Sequence, residues 1–168
     1  NRIIAAEILA QQQQQNNNNN SGGTVKPPSF GASSYLTDPS YDPAFTSKVS
    51  GEELVAYALQ FVGNPYVWGG NSLTNGTDCS GFTKLVYANF GYTLNRVSSD
   101  QQYNGTAVDI NNLQPGDILL YSNGGYAIGH AAIYIGNGQI VHASTESTGI
   151  IVSNAYYRTP ACARRIIN

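Results

Sequence analysis

The chain has 168 residues, a net charge of −2 and only eight lysines and arginines. This length suits one domain with a hydrophobic core. So small a basic content argues against nucleic-acid binding, which needs cations to neutralise phosphates. No run of about 18 apolar residues occurs, so no transmembrane helix is predicted.

The first 49 residues differ in composition from the rest. Residues 1–29 combine a short stretch with helical spacing, a tract of glutamines and asparagines, and then glycines and prolines. Such a tract cannot bury apolar area, so we interpret 1–29 as a helical stub followed by a flexible linker. An ordered helix that continues through the glutamines is the alternative. Aromatic residues and prolines in 30–49 predict an extended arm that packs on the following domain.

Two helices are predicted at the start of the main domain, residues 50–168. Ser50 is a candidate N-cap with two acidic residues behind it, and an apolar stripe at helical spacing follows it as far as Gly63. A second helix is predicted from Cys79 to Phe90, ended by Gly91.

Five strands are predicted after the second helix. Each is a short apolar or alternating run bounded by glycine or asparagine. They span Asp117–Tyr121, His130–Ile135, Gln139–Ala143, Ile150–Ser153 and Cys162–Ile167. Helices followed by a run of strands indicate an α+β domain, in which N-terminal helices pack on an antiparallel sheet of five to six strands.

The two histidines, His130 and His142, fall in neighbouring predicted strands joined by a turn at 136–138. A two-residue turn would place them on opposite faces of the sheet, whereas a three-residue loop places them diagonally on one face. We favour the three-residue loop because it also sends Ile133 and Ile135 together to the buried face.

The two cysteines occur in different contexts. Cys79 follows Asp78, a candidate N-cap, at a helix start where the dipole and the free N–H groups favour a thiolate. For Cys79, a buried, unreactive thiol is the alternative. We interpret Cys162 as a buried, unreactive thiol, although a chain with two cysteines could form one disulfide. A zinc site of both cysteines and both histidines is disfavoured, because the spacings contain no Cys-x-x-Cys and no short His pair.

Five motifs occur in order along the main domain. They are YVWGG at 66–70, DCSG at 78–81, LQPGD at 113–117, GHAAIYIG at 129–136 and VHA at 141–143. Together they resemble the NlpC/P60 family of bacterial cell-wall cysteine peptidases. The sequence departs from the family at Ala131 and Ala132, where Val-Gly is more usual.

The resemblance implies a papain-like α+β fold and a catalytic triad. A helix would carry the nucleophile Cys79, and an antiparallel sheet would carry the base His130 and the orienting residue His142. The resemblance also implies four substrate-binding residues near the nucleophile: Tyr66, Asp78, Ser80 and Arg96. It implies no metal or other cofactor, and we expect a monomer.

The implied reaction is hydrolysis of a peptidoglycan stem peptide, most often between D-γ-glutamate and the diamino acid at position three. An amidase that cuts the glycan–peptide bond, as in the similar CHAP family, is one alternative, and a non-catalytic wall-binding module is another. Cell-wall chemistry implies export, so we expect a secreted or wall-associated protein without membrane insertion. Because methionine is absent, we also expect an export signal or wall-targeting region upstream of residue 1.

Overall fold

The structure, a computed structural model, describes residues 48–168. The stub and linker predicted for 1–29 lie outside the described residues, as does the arm predicted for 30–49 apart from its last two positions. Within 48–168, no helix combines the length and the apolar character that crossing a membrane requires.

Helix α1 (Gly51–Leu59) begins where the sequence predicts. The Ser50 hydroxyl accepts a hydrogen bond from the Glu53 N–H, and the Glu53 carboxylate accepts one from the Ser50 N–H. This reciprocal capping box satisfies two N–H groups that the first helical turn leaves free. The helix ends at Leu59, four residues before Gly63, which takes a positive φ of 95°.

Helix α2 (Cys79–Ala88) begins at the predicted residue and carries the candidate nucleophile in its first position. Asp78 caps it, because its carboxylate accepts a hydrogen bond from the Gly81 N–H at 2.8 Å. The helix ends at Ala88, two residues before the predicted Phe90. A single helical turn, α3 (Ser98–Gln101), follows and is an addition to the predicted elements.

The described residues form a small hairpin and one larger sheet. The hairpin pairs β1 (Asn71–Ser72) with β2 (Gly76–Thr77). The strands of the larger sheet are β3 (Thr106–Val108), β4 (Ile118–Ser122), β5 (Ile128–Gly136), β6 (Gln139–Thr145), β7 (Gly149–Asn154) and β8 (Cys162–Arg165). Their order across the sheet is β3-β8-β4-β5-β6-β7, with antiparallel pairing throughout. The predicted α+β fold with an antiparallel sheet of five to six strands is confirmed. Strand β3 of this sheet and the hairpin strands β1 and β2 were not predicted from the sequence.

The sheet is buried on both faces. Along β4, Ile118 and Leu120 join the main core with the apolar side chains of α1 and α2, whereas Leu119 and Tyr121 join a second cluster. All four side chains are fully buried. Alternate residues of a strand point to opposite faces, so β4 is buried on both faces from Ile118 to Tyr121 and lies inside the sheet between β8 and β5.

The turn between β5 and β6 differs from the prediction. Gly136 pairs with Gln139, which leaves a two-residue turn of Asn137 and Gly138. Both turn residues have positive φ, 52° and 70°, as the tight hairpin turn that matches strand twist requires. The predicted three-residue loop is therefore wrong.

A β-bulge nevertheless restores the predicted strand register. The pairing shifts between Tyr134 and Gly136, and Tyr134 then lies opposite Ile140. The extra residue in a bulge offsets one strand by one position, which is the offset that the longer loop was predicted to supply. Ile133 and Ile135 both belong to the main core, as that register requires.

Candidate active site

The strand register brings the two histidines together. Nε2 of His130 on β5 lies 2.7 Å from Nδ1 of His142 on β6, and the two rings are nearly perpendicular. Both side chains are buried, with exposures of 9% and 1%. The two imidazoles therefore share one face of the sheet, as the diagonal predicted from the sequence requires.

The chain of hydrogen bonds continues beyond the histidines. Nε2 of His142 lies 2.9 Å from the Ser153 hydroxyl on β7. Sequence reasoning did not single out Ser153, because one serine in a strand has no local signal that separates it from a surface residue.

Cys79 lies against the strand that carries His130. The residue is 8% exposed, and the helix that begins with it, α2, packs against β5, the strand that carries His130. The start of the helix thus lies beside the histidine strand.

The surroundings of Cys79 favour the neutral thiol. Burial raises the pKa of the thiol and the Asp78 carboxylate raises it further, although hydrogen bonds from Ala131 and Ser80 act in the opposite direction. The N–H groups thus favour the thiolate, as expected for a helix start, but desolvation outweighs them. Cys79 needs a base to take its proton.

His130 has the ionisation state that such a base requires. Burial lowers its pKa to about 3, and positive charge on His142 or Arg158 lowers it in the same direction. Burial and Arg158 lower the pKa of His142 to about 4. Both rings are neutral at pH 7, and a neutral imidazole has one nitrogen free to accept a proton.

Asp78 and Arg96 form a polar framework around Cys79, the candidate nucleophile. The two Nη atoms of Arg96 donate to the two Asp78 oxygens at 2.8 and 2.9 Å, and Nη1 also donates to the Ser80 hydroxyl at 3.2 Å. Asp78 accepts further hydrogen bonds from the N–H groups of Gly81 and Gly69. Burial opposes ionisation of Asp78, but the hydrogen bonds from Arg96, Gly81 and Gly69 outweigh it and lower the pKa of the carboxyl.

Tyr66 lies close enough to Cys79 for their charges to interact. Burial raises the pKa of the phenol, and negative charge on Cys79 or Asp78 raises it further. The hydroxyl therefore stays protonated and can donate a hydrogen bond beside the nucleophile. The structure thus groups all four predicted substrate-binding residues around the start of α2.

Cys162 lies apart, on β8, and is partly exposed instead of fully buried as predicted. Both cysteines are free thiols, so the disulfide left open by the count is not formed. Within 48–168, no three side chains of His, Cys, Asp or Glu are grouped so that they could hold a metal ion. The four side chains of the zinc alternative are therefore not assembled.

We expect the domain to lose stability as the pH falls from about 6.5 towards 4. Unfolded histidines take up protons near pH 6.5, whereas burial keeps the pKa at about 3 for His130 and about 4 for His142 in the folded protein. The unfolded state then binds more protons, so the free energy of unfolding falls by up to about 1.4 kcal/mol per pH unit for each histidine. Urea denaturation at pH 7 and pH 5 measures this loss.

The control is the double variant His130→Gln/His142→Gln, which keeps polar side chains and removes both titrating groups. Its loss of stability between pH 7 and 5 should be clearly smaller than that of the wild type. Asp78 changes the free energy of unfolding mainly below the unfolded carboxyl pKa of about 3.9, because its pKa in the folded protein is lower still. Equal losses in the two proteins would contradict the assignment of buried neutral histidines.

Comparison with known proteins agrees with this geometry. The profile of the NlpC/P60 family matches residues 63–165. A gamma-D-glutamyl-L-lysine dipeptidyl-peptidase from Bacillus cereus is 38% identical over 122 residues, 69% of this chain and 36% of that protein. A gamma-DL-glutamyl hydrolase from Bacillus subtilis is 41% identical over 108 residues, 62% of this chain and 26% of that protein. The chain thus spans about a third of the length of these curated relatives.

One solved structure is matched over nearly its own full length. The crystal structure of the NlpC/p60 domain of the peptidoglycan hydrolase SagA superposes with a TM-score of 0.63 at 35% identity, covering 70% of this chain and 99% of that one. The family profile covers more than half of the sequence, and the motifs at 66–70, 78–81, 113–117, 129–136 and 141–143 all lie inside the matched range. The chain therefore belongs to the NlpC/P60 family.

Proposed function

We propose that the chain is a cysteine peptidase that hydrolyses peptidoglycan stem peptides between D-γ-glutamate and the diamino acid. The observation that carries this proposal is the arrangement of Cys79 at the start of a helix that packs against the strand of His130, with His130 in turn 2.7 Å from His142. The names of the relatives support the substrate, because two are γ-glutamyl hydrolases or peptidases and a third is a peptidoglycan hydrolase.

The first half of the reaction acylates the enzyme. Nδ1 of His130, the ring nitrogen that His142 leaves available, takes the thiol proton of Cys79 as the sulfur attacks the γ-carbonyl carbon. The carbonyl oxygen becomes an oxyanion, and the Cys79 backbone N–H and the Tyr66 hydroxyl are the donors that we assign to it. The amide C–N bond then breaks, and the leaving amine takes the proton from His130.

The second half releases the product and restores the enzyme. A water molecule gives a proton to Nδ1 of His130 and attacks the thioester carbonyl. The C–S bond breaks, the acid product leaves, and the proton returns to the sulfur of Cys79. His142 keeps the ring of His130 oriented through both halves, which is the role that an acid or amide plays in other triads.

The polar residues around Cys79 would hold the anionic stem peptide. We assign substrate contacts to four residues: Tyr66, Asp78, Ser80 and Arg96. Arg96 supplies positive charge, with 30% of its side chain exposed. Each Asp78 oxygen already accepts two hydrogen bonds. Asp78 would therefore act on a substrate through its negative charge and by holding Arg96 in place. Because peptidoglycan lies outside the cytoplasm, we place the protein there, secreted or wall-associated, with residues 50–168 as a monomeric catalytic domain.

Digestion of defined tripeptide and tetrapeptide stems tests this function. We expect mass spectrometry to find a fragment ending in D-glutamate and a fragment beginning with the diamino acid. Intact muropeptides serve as a second substrate, because an amidase would release whole stems and leave free lactyl groups on the glycan. Either that product pattern, or no cleavage of any substrate, would contradict the proposal.

A further inference from the structure

A line of polar side chains crosses three neighbouring strands on one face of the sheet. His130 lies on β5, His142 on β6 and Ser153 on β7, and the successive hydrogen bonds measure 2.7 and 2.9 Å. We propose that Ser153 is a positioning residue of this site, whose hydroxyl accepts a hydrogen bond from His142 and thereby fixes the His142 tautomer that His130 needs. This inference rests on the proposed function of the histidine pair.

The sheet register places Ser153 at this point. Ile140 lies opposite Ser153 and His142 lies opposite Ile151, so His142 and Ser153 are diagonal neighbours on one face, within reach of each other's side chains. Ile140 on that face is fully buried and belongs to the second cluster. Ser153 itself is partly exposed, so apolar packing does not explain why its hydroxyl meets His142.

The proton positions on the two rings give the explanation. His130 must keep Nδ1 bare to accept the thiol proton, so its own proton is on Nε2 and points at Nδ1 of His142. After proton transfer His130 carries protons on both nitrogens, and Nε2 still donates to Nδ1 of His142. In both states Nδ1 of His142 has to be bare, so the His142 proton has to be on Nε2. That proton needs an acceptor, and the Ser153 oxygen is at hydrogen-bond distance.

The other polar groups around the histidines do not provide this acceptor. Arg158 is a pure donor, and it donates to the Tyr157 hydroxyl and to a backbone carbonyl. The Tyr157 ring packs against His142, with 5.9 Å between the ring centroids. Tyr121 packs against His130 at 6.0 Å, but its hydroxyl donates to the Ala155 carbonyl. Arg158 lowers the pKa of both histidines, so the protonated state of His130 depends more strongly on the hydrogen bond that Ser153 accepts from His142.

Four forms of residue 153 separate the hydroxyl from the shape of the side chain. Ser153→Ala removes the acceptor, Ser153→Thr keeps it, and Ser153→Val reproduces the shape of threonine without the hydroxyl. Valine and threonine both suit a strand, so a folding defect common to larger side chains would affect both equally. The chain of residues 1–168 is used throughout, and thermal unfolding of each form is recorded alongside activity.

The activity test measures kcat and KM for a stem peptide between pH 5 and 8. We expect Ser153→Ala and Ser153→Val to lower kcat by roughly three- to tenfold, the worth of one hydrogen bond, with KM unchanged. The rate of Cys79 alkylation by iodoacetamide at pH 7 should fall in parallel, while Ser153→Thr should match the wild type in both assays. Alkylation of Cys162 in the same molecules is the internal control and should not change.

Two results would overturn the inference: equal kcat in wild type, Ser153→Ala and Ser153→Val, or a loss in Ser153→Thr as large as that in Ser153→Val. Failure of the proposed function looks different, since the wild type would then cleave no stem peptide at all. In that case the alkylation rates still decide whether the hydroxyl acts on Cys79 through the two histidines.

Discussion

Replacing Cys79 with alanine is expected to reduce hydrolysis of stem peptides by about 10⁴-fold or more, the scale seen when a catalytic nucleophile is removed. Cys79 begins the helix that packs against the strand of His130, and the proposed reaction needs its sulfur as the attacking atom. The substitution removes one atom from a helix whose cap is the Asp78 carboxylate, so the fold should persist. Product formation followed by mass spectrometry measures the loss, and urea denaturation checks the fold.

The matched control is Cys162→Ala. Cys162 is the other cysteine of the chain, it lies on β8, and it has no part in the proposed reaction. Its replacement should leave the rate within about twofold of the wild type, in line with a substitution away from the reacting atoms. Cys79→Ala retaining more than a few per cent of the rate, or Cys162→Ala losing as much as Cys79→Ala, would refute the assignment of the nucleophile.

Arg96→Met is expected to destabilise the domain by about 2–3 kcal/mol. Removing one partner of a buried ion pair leaves an uncompensated charge, and the Asp78 side chain is only 11% exposed. The arginine is partly exposed, so solvent screens the pair and the loss falls below that of a fully buried pair. The wild-type carboxylate contributes stability above its unfolded pKa, and this is lost as the pH falls through the lowered pKa of the folded protein.

Urea denaturation at pH 7 measures this loss, and two further variants identify its cause. Arg96→Lys keeps the positive charge but loses the bidentate contact with the carboxylate, so its free energy of unfolding should lie between those of the wild type and Arg96→Met. Asp78→Asn combined with Arg96→Met should recover part of the stability, because no buried charge is then left unpaired. Unchanged stability in Arg96→Met would show that the ion pair does not hold the start of α2.

The two main helices could be predicted because their signals are local. Ser50 with Glu53, and Asp78 at the next helix start, are capping residues whose hydrogen bonds close within three positions. Strand β3 and the short helix α3 carry no comparable signal. The amide of Gln101 in α3, for example, is fully buried and bonds to Thr83 and to the Ser80 carbonyl, contacts that exist only once the chain has folded.

The histidine site shows a second limit of sequence reasoning. The shared face of His130 and His142 was predictable from strand alternation and the need to bury Ile133. The way in which the chain reaches this register was not predictable, because a bulge combined with a tight turn shifts the register by the same amount as a longer loop. Ser153 was beyond reach for a related reason: its contact with His142 depends on the register of a third strand, which no pattern within that strand specifies.

The position of β7 at the edge of the sheet makes the site vulnerable to partial opening. Within 48–168, β7 pairs with β6 on one side, and on the other side Gly63 and Asn64 bond to Ile150 near its start. Ser153 lies between that tie and Ala155, whose N–H donates to the Gly138 carbonyl. Local opening of the segment between these two ties would cost less free energy than global unfolding, so the hydrogen bond between Ser153 and His142 would be lost while the core stays intact. Thermal inactivation should then begin before the cooperative melting of the domain, with the opening of this segment of β7 setting its onset.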